Sequence, residues 1–317
     1  MQSLAILNAA QTARMMTMAD QANRPNPLRE AVLELPRERN AMIDWLLYDL
    51  DKLHHNEAAE LAPRYAAPGS VLLVGNSDHP DVERFDHYDD FRASRQAQTC
   101  RALIVAGGGS SALGAAAFAR NVGDALDAPV LAVVSGYGLS DLMTEAMGGM
   151  LWFSRLMPTR HQFEAVDLMS RPQGSTFAYA KIPDLDGIAG AQDAKTVAAI
   201  LAAHPIDTLV GHSKGNIVIS DALSILADTQ PAKAAQLAKS LTVIQISTRV
   251  ALPKGFTPIT IMGEDDRYGE MNSDKDIEID FAIPGAWHHT NTELSGHLDV
   301  TNAVERAVKR AKEAKAA

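Results

Sequence analysis

A short apolar run that ends in a glycine–serine–glycine pattern constrains this chain more than any other stretch. Residues 207–216 read DTLVGHSKGN, and helical periodicity follows at once. This pattern between a strand and a helix is typical of a tight turn that lifts a serine clear of a sheet. Such a turn strains the backbone of the serine. It also brings the strand and the helix close together, so small residues such as Gly211 and Gly215 are needed to prevent a collision. The stretch therefore predicts a nucleophile elbow at Ser213.

Strands and helices alternate on both sides of the elbow. Predicted strands cover residues 70–74, 101–106, 129–134, 241–246, 258–262 and 277–283. Predicted helices cover residues 112–126, 214–227, 231–239 and 299–315. The alternation predicts an α/β fold with a mostly parallel central sheet and helices on both faces.

The two remaining parts of the chain suggest additions to that fold. Residues 1–65 are predicted to form an N-terminal helical extension, in which Pro36 is expected to break or restart an amphipathic helix over 27–60. Residues 66–317 then form the α/β domain. An insertion at about 139–190 is rich in methionine and aromatic residues. Such residues fit either a packed core or a cap or lid over an apolar acyl pocket.

Composition excludes several function classes. The net charge of −10 repels phosphate backbones, so we expect no nucleic-acid partner. The single cysteine, Cys100, allows neither an internal disulfide nor a cysteine zinc site and is expected to be buried. No apolar run reaches the ~20 residues of a membrane helix, and no basic segment precedes the first apolar patch. We therefore expect a cytoplasmic protein without stable membrane insertion.

The charged segment from His79 to Arg95 raises the question of a metal site. Asp86, His87, Asp89 and Asp90 are potential ligands, but their spacing matches no metal-binding loop. A charged surface loop explains the segment better. The sequence therefore predicts no metal site and no cofactor.

A serine hydroxyl needs a base, and the base needs an orienting carboxylate. In chains with this elbow the order is serine, acid, histidine. Asp266 follows the predicted strand 258–262 by a few residues, and His288 follows the last predicted strand. Since ligands bind at the carboxyl ends of strands in open α/β sheets, the three side chains are expected to meet there.

From about residue 100 onward, the chain resembles the α/β-hydrolase superfamily. The matching residues are the elbow GHSKG at 211–215, the acid stretch GEDD at 263–266 and IPGAWH at 283–288. The resemblance implies that Ser213 is the nucleophile, Asp266 the orienting acid and His288 the general base. The glycines after strand 101–106 resemble the family's oxyanion loop, which implies backbone N–H donors from Gly108 and Lys214. It assigns no role to the Lys214 side chain.

The chain departs from the family pattern around the histidine. Trp287 stands where a glycine commonly precedes the base, and the neighbouring His289 and the later His297 remain alternatives to His288. Asp265 remains an alternative to Asp266. The sequence alone does not choose among them.

The implied function is hydrolysis of a small-molecule or lipid acyl ester through an acyl-enzyme intermediate. An acyl thioesterase or acyltransferase using the same triad is the first alternative, and a non-catalytic ligand-binding protein is the second. A dinucleotide-binding domain is a third reading, because residues 107–112 fit G-x-G-x-x-A between a strand and a helix. The next strand ends in VVSG and lacks the acidic residue that would hold a ribose.

Overall fold

The computed structural model describes residues 2–21, 27–61, 68–85, 88–137, 139–148, 153, 163 and 191–316. The predicted cap or lid at 139–190 therefore lies mostly outside the described residues. The potential ligands Asp86 and His87 also lie outside them.

One sheet of eight strands organises the described part of the chain. The strands are β1 (Val71–Val74), β2 (Val82–Phe85), β3 (Ala102–Val105), β4 (Val130–Val133), β5 (Thr208–His212), β6 (Thr242–Ile246), β7 (Pro258–Gly263) and β8 (Phe281–Ile283). Their order across the sheet is β2-β1-β4-β3-β5-β6-β7-β8. Strand β1 runs antiparallel to both its neighbours, and every pair from β4 to β8 is parallel. The predicted mostly parallel sheet is confirmed.

Helices precede, connect and follow these strands. They are α1 (Gln2–Gln21), α2 (Pro27–Leu47), α3 (His55–Leu61), α4 (Tyr88–Ala93), α5 (Arg95–Thr99), α6 (Ala112–Leu126), α7 (Leu139–Ala146), α8 (Gln192–Ala203), α9 (Gly215–Thr229), α10 (Pro231–Ser240), α11 (Arg267–Met271) and α12 (Val300–Ala316). A single 3-10 turn at Leu50–Lys52 links α2 to α3. None of the described helices is both long enough and apolar enough to cross a membrane.

Each central strand divides its side chains between two cores. Leu72, Ile104, Ala132 and Val210 belong to the core under α1, α6 and α12. Their neighbours Leu73, Leu103, Leu131 and Leu209 belong to the core under α8, α9 and α10. This alternation is the two-residue period of a strand, and a parallel sheet needs cover on both faces. Helices on both faces are thus confirmed, and burial of each leucine stabilises the fold by about 2 kcal/mol.

The N-terminal helices share the first of these cores. Ile6 of α1 and the turn residues Leu50 and Leu53 are fully buried together with the sheet residues. Cys100 is buried as predicted.

Two predictions about local structure were wrong. Pro36 lies inside α2 and does not end it. A proline removes the N–H that would bond to the carbonyl four residues earlier, and that carbonyl belongs to Val32, a residue that is 49% exposed. The charged segment after residue 79 is also not a loop throughout, because it contains β2, α4 and α5. Strand β2 lies at the sheet edge, where Glu83 is exposed.

The last strand is shorter than predicted. It covers Phe281–Ile283, whereas the sequence indicates residues 277–283. The carboxylate of Asp280 accepts the Thr260 N–H at 2.8 Å, and the carbonyl of Ile277 accepts from Arg249 at 2.6 Å. Side chains thus occupy backbone groups that a longer ladder would use.

Candidate active site

The turn between β5 and α9 has the predicted strained geometry. Ser213 adopts a φ of 54°, in the left-handed region that non-glycine residues rarely occupy. A Cβ added at Gly211 would overlap Asn216, and one at Gly215 would overlap the carbonyl of Val105. Glycine is therefore required on both sides of Ser213, and the strand-to-helix turn predicted from the sequence is confirmed.

The structure brings Ser213, His288 and Asp266 together in one hydrogen-bonded row. His288 Nε2 lies 2.8 Å from Ser213 Oγ. On the other side of the ring, Nδ1 lies 2.9 and 2.8 Å from the two carboxylate oxygens of Asp266. The three residues follow β5, β8 and β7, which are parallel, so all three lie at the same edge of the sheet.

Asp266 is fixed from two directions. Its side chain is fully buried and accepts the Gly269 N–H at 2.7 Å, which also caps α11. The His288 side chain is 14% exposed. Charge-assisted hydrogen bonds in so dry a site are stronger than those between neutral groups. The carboxylate can therefore hold the imidazole in one orientation.

The geometry distinguishes among the alternatives that the sequence leaves open. Neither His289 nor His297 has a ring atom bonded to Ser213 or Asp266; His297 Nδ1 instead lies 3.0 Å from the carbonyl of Leu294. His289 is buried, and burial lowers its pKa. Asp265 is exposed and contacts Ala286 through its backbone N–H. Of these candidates, the structure places His288 beside Ser213 and Asp266 beside His288.

The two predicted oxyanion donors lie side by side. A Cβ added at Gly108 would overlap the side-chain stem of Lys214, and both residues line the pocket that contains Ser213. In the described part of the chain, neither backbone N–H donates to an intramolecular acceptor. Both amides are therefore available to a ligand oxygen. The Lys214 ammonium lies 2.8 Å from Asp141, and its side chain is 13% exposed.

The pocket beside Ser213 has a volume of about 370 Å³. Its apolar wall consists of Ile43, Leu46 and Leu47 from α2 together with Phe153. This contribution of α2 was not predicted. The i, i+3, i+4 spacing of its three apolar residues is the same for a core face and a pocket wall, so the sequence could not distinguish them.

The pocket also has a polar side, on which charges occur in pairs. Arg39 forms a bidentate ion pair with Glu145, and Glu145 also accepts the hydroxyl of Tyr137. Lys214 pairs with Asp141. These two cations of the pocket wall are therefore each neutralised by a carboxylate.

The glycine loop after β3 does not have the surroundings of a dinucleotide site. Ser111, which caps α6, donates its N–H to the buried carboxylate of Asp44 at 2.8 Å. A Cβ added at Gly114 in the first turn of α6 would overlap the same carboxylate. A dinucleotide would place its pyrophosphate at this helix end. Because Asp44 already occupies it, the structure disfavours that reading.

The described residues contain no cluster of three or more His, Cys, Asp or Glu side chains that could hold a metal ion. Comparisons with family models, curated proteins and solved structures find no match to this chain. The chemistry of the site is therefore inferred from its own geometry.

Proposed function

We propose that this protein is a serine hydrolase that cleaves carboxylic or lipid esters through an acyl-enzyme intermediate. The observation that carries the proposal is the chain of hydrogen bonds from Ser213 Oγ through the His288 ring to Asp266, in which Oγ lies 2.8 Å from His288 Nε2. In this proposal Ser213 is the nucleophile, His288 the general base and Asp266 the orienting acid. The same proposal places the chain in the α/β-hydrolase superfamily, with which the sheet is compatible.

The hydrogen-bond partners of His288 support one tautomer of its neutral ring. A carboxylate can only accept, so His288 Nδ1 carries the hydrogen that points at Asp266. In the neutral ring Nε2 is then an acceptor and faces the Ser213 hydroxyl. This tautomer is the one that can remove the serine proton.

Acylation follows from that arrangement. Ser213 Oγ bonds to the acyl carbon as its proton moves to His288 Nε2, and the carbonyl becomes an oxyanion. The N–H groups of Gly108 and Lys214 donate to that oxygen, an interaction whose loss typically costs about 10²–10³ in rate. His288 then returns the proton to the leaving alkoxide, and the alcohol departs. Water activated by His288 releases the acid and restores Ser213.

The pocket supports an apolar acyl group and an uncharged leaving group. Ile43, Leu46, Leu47 and Phe153 offer an apolar wall next to the serine. Arg39 and Lys214 are both paired with carboxylates, so neither presents an unpaired charge to the phosphates of a large thiol carrier. The net charge of −10 acts in the same direction. An ester is therefore favoured over such a thioester.

Turnover of p-nitrophenyl esters of increasing acyl length, with wild type beside Ser213→Ala, tests the proposal. We expect turnover that the substitution abolishes and that improves with acyl length until the pocket is filled. Turnover retained by Ser213→Ala would contradict the assignment of the nucleophile. Serine-dependent turnover of p-nitrophenyl acetate but not of the longer esters would limit the substrate to small esters.

A further inference from the structure

Helix α2 and the residue after it present a row of buried polar side chains to the glycine loop 107–111. Asn40, Asp44 and Tyr48 are spaced four residues apart, so they lie along one face of the helix. All three are buried. Buried polar groups cost free energy unless they are bonded, so their partners matter.

Tyr48 connects the loop to the elbow. Its hydroxyl oxygen accepts the Gly107 N–H at 2.7 Å and lies 2.9 Å from His212 Nδ1. His212 is fully buried, and burial lowers its pKa to about 3, so the ring is neutral. Its Nε2 lies 3.1 Å from the carbonyl oxygen of His288, which can only accept.

The tautomer of His212 follows from these contacts. Nε2 must carry the hydrogen and donate to the His288 carbonyl, which leaves Nδ1 as the acceptor of the Tyr48 hydroxyl. One row of hydrogen bonds thus runs from Gly107 through Tyr48 and His212 to the backbone of His288. It fixes the loop and the proposed base relative to each other.

Asp44 hydrogen-bonds to the end of the loop, and Asn40 packs against its middle. Asp44 accepts the N–H of Ser111 at 2.8 Å and lies against Gly114. Asn40 lies over Gly109, whose φ is 75°. A Cβ added at Gly109 would overlap the side-chain amide nitrogen of Asn40. Between these contacts Gly108 is exposed to the pocket.

We propose that Asn40, Asp44 and Tyr48 are positioning residues for acyl transfer. They hold loop 107–111 so that the Gly108 N–H is directed at the oxyanion, and Tyr48 also holds the backbone of His288 through His212. The inference rests on the proposed function. Donors that are already oriented need no reorganisation when the charge develops, so their effect falls on the transition state and not on substrate binding.

The substitution Tyr48→Phe tests this, because it removes one hydroxyl and keeps the ring. We expect kcat for the best p-nitrophenyl ester to fall about 10–100-fold, with KM changed less than twofold. Affinity for a trifluoromethyl ketone of the same acyl length, which forms an oxyanion on Ser213, should fall by the same factor. Amide hydrogen exchange at Gly107 should become faster.

Asp124→Asn is the matched control. Asp124 lies near the other end of α6 and accepts the N–H and hydroxyl of Ser77 at 2.7 and 2.8 Å, much as Asp44 accepts from Ser111. This control should change neither kcat nor the affinity for the ketone. Asp44→Asn provides a second variant, with the expected loss in kcat and ketone affinity, if Tyr48→Phe does not fold.

Each outcome decides a separate claim. Unchanged kcat and ketone affinity in folded Tyr48→Phe would overturn the positioning role, as would a lower kcat with unchanged ketone affinity. If wild type shows no Ser213-dependent turnover, the proposed function fails. The exchange rate at Gly107 in Tyr48→Phe then decides by itself whether the hydrogen bond from Gly107 to Tyr48 holds the loop. Faster exchange supports that role, and an unchanged rate contradicts it.

Discussion

The strand-end loops and helix α2 contribute to the candidate site in different ways. The loops supply Ser213, Asp266 and His288, whose atoms form the bonded row. Helix α2 brings apolar residues to the pocket wall, and buried polar groups on α2 and just after it contact the glycine loop. Side chains that are proposed to react thus stand on loops fixed by the sheet, and those that orient them belong to a region distant in sequence. Substitutions in the two regions should therefore differ in the size of their effect on kcat, and those in the apolar wall should change KM instead.

The largest effect on kcat is expected from substitution of His288. His288→Ala should lower kcat by about 10⁴–10⁶-fold, because the serine loses its base. His289→Ala and His297→Ala serve as matched controls and should stay within about tenfold, since neither ring contacts Ser213. Steady-state kinetics on one ester compares all three. A larger loss for either control would move the base to that residue.

The next effect concerns the acid. Asp266→Asn should cost about 10⁴ in kcat, because the amide no longer favours the reactive tautomer of His288. Asp265→Asn changes an exposed neighbour and should leave kcat within a few-fold. Comparable losses in both variants would refute the assignment of Asp266.

A smaller effect should follow from a change in the pocket wall. Leu46 is 47% exposed and lines the pocket, whereas Met42 on the same helix is 61% exposed and does not line it. Leu46→Glu should raise KM for long-chain esters about 10-fold, the equivalent of 1–2 kcal/mol of lost apolar contact. The substitution should leave KM for p-nitrophenyl acetate unchanged. Met42→Glu is the control, and an equal rise there would show that the wall does not select the acyl chain.

The smallest expected effect is on the pH dependence of stability, and it has opposite signs for His212, next to Ser213, and Asp44 on α2. Burial lowers the folded pKa of His212 to about 3 and raises that of Asp44 to about 7. The contribution of His212 is therefore present above its unfolded pKa of about 6.5 and is lost as the pH falls toward 3. That of Asp44 is present below about 4 and is lost as the pH rises through 7.

Urea unfolding between pH 4.5 and 6.5 measures both contributions. Relative to wild type, the slope of unfolding free energy against pH should become more negative in His212→Gln and more positive in Asp44→Asn. Each change should be at most about 1.4 kcal/mol per pH unit. Slopes that change in the same direction would contradict the opposite effects of burial on the two groups.

The sequence predicted the parts of the site that follow a recognisable pattern. Ser213 lies between two glycines after a strand, and Asp266 and His288 come after the last two strands in the expected order. The choice between Asp265 and Asp266 required the structure, because neighbouring residues in a turn point in different directions. Asn40, Asp44 and Tyr48 gave no signal, because polar residues at helical spacing are usually solvated. Their burial depends on packing against a loop that lies 59 or more residues later in the chain.

Covalent labelling of the wild-type protein with a fluorophosphonate, followed by peptide mass spectrometry, tests the central claim most directly. The reagent reacts with a serine that an adjacent base has activated, and it does not depend on knowing the ester. We predict one adduct, on Ser213, that is absent in Ser213→Ala and strongly slowed in His288→Ala. A wild-type protein that acquires no adduct, or acquires it on another residue, would contradict an activated serine at this turn.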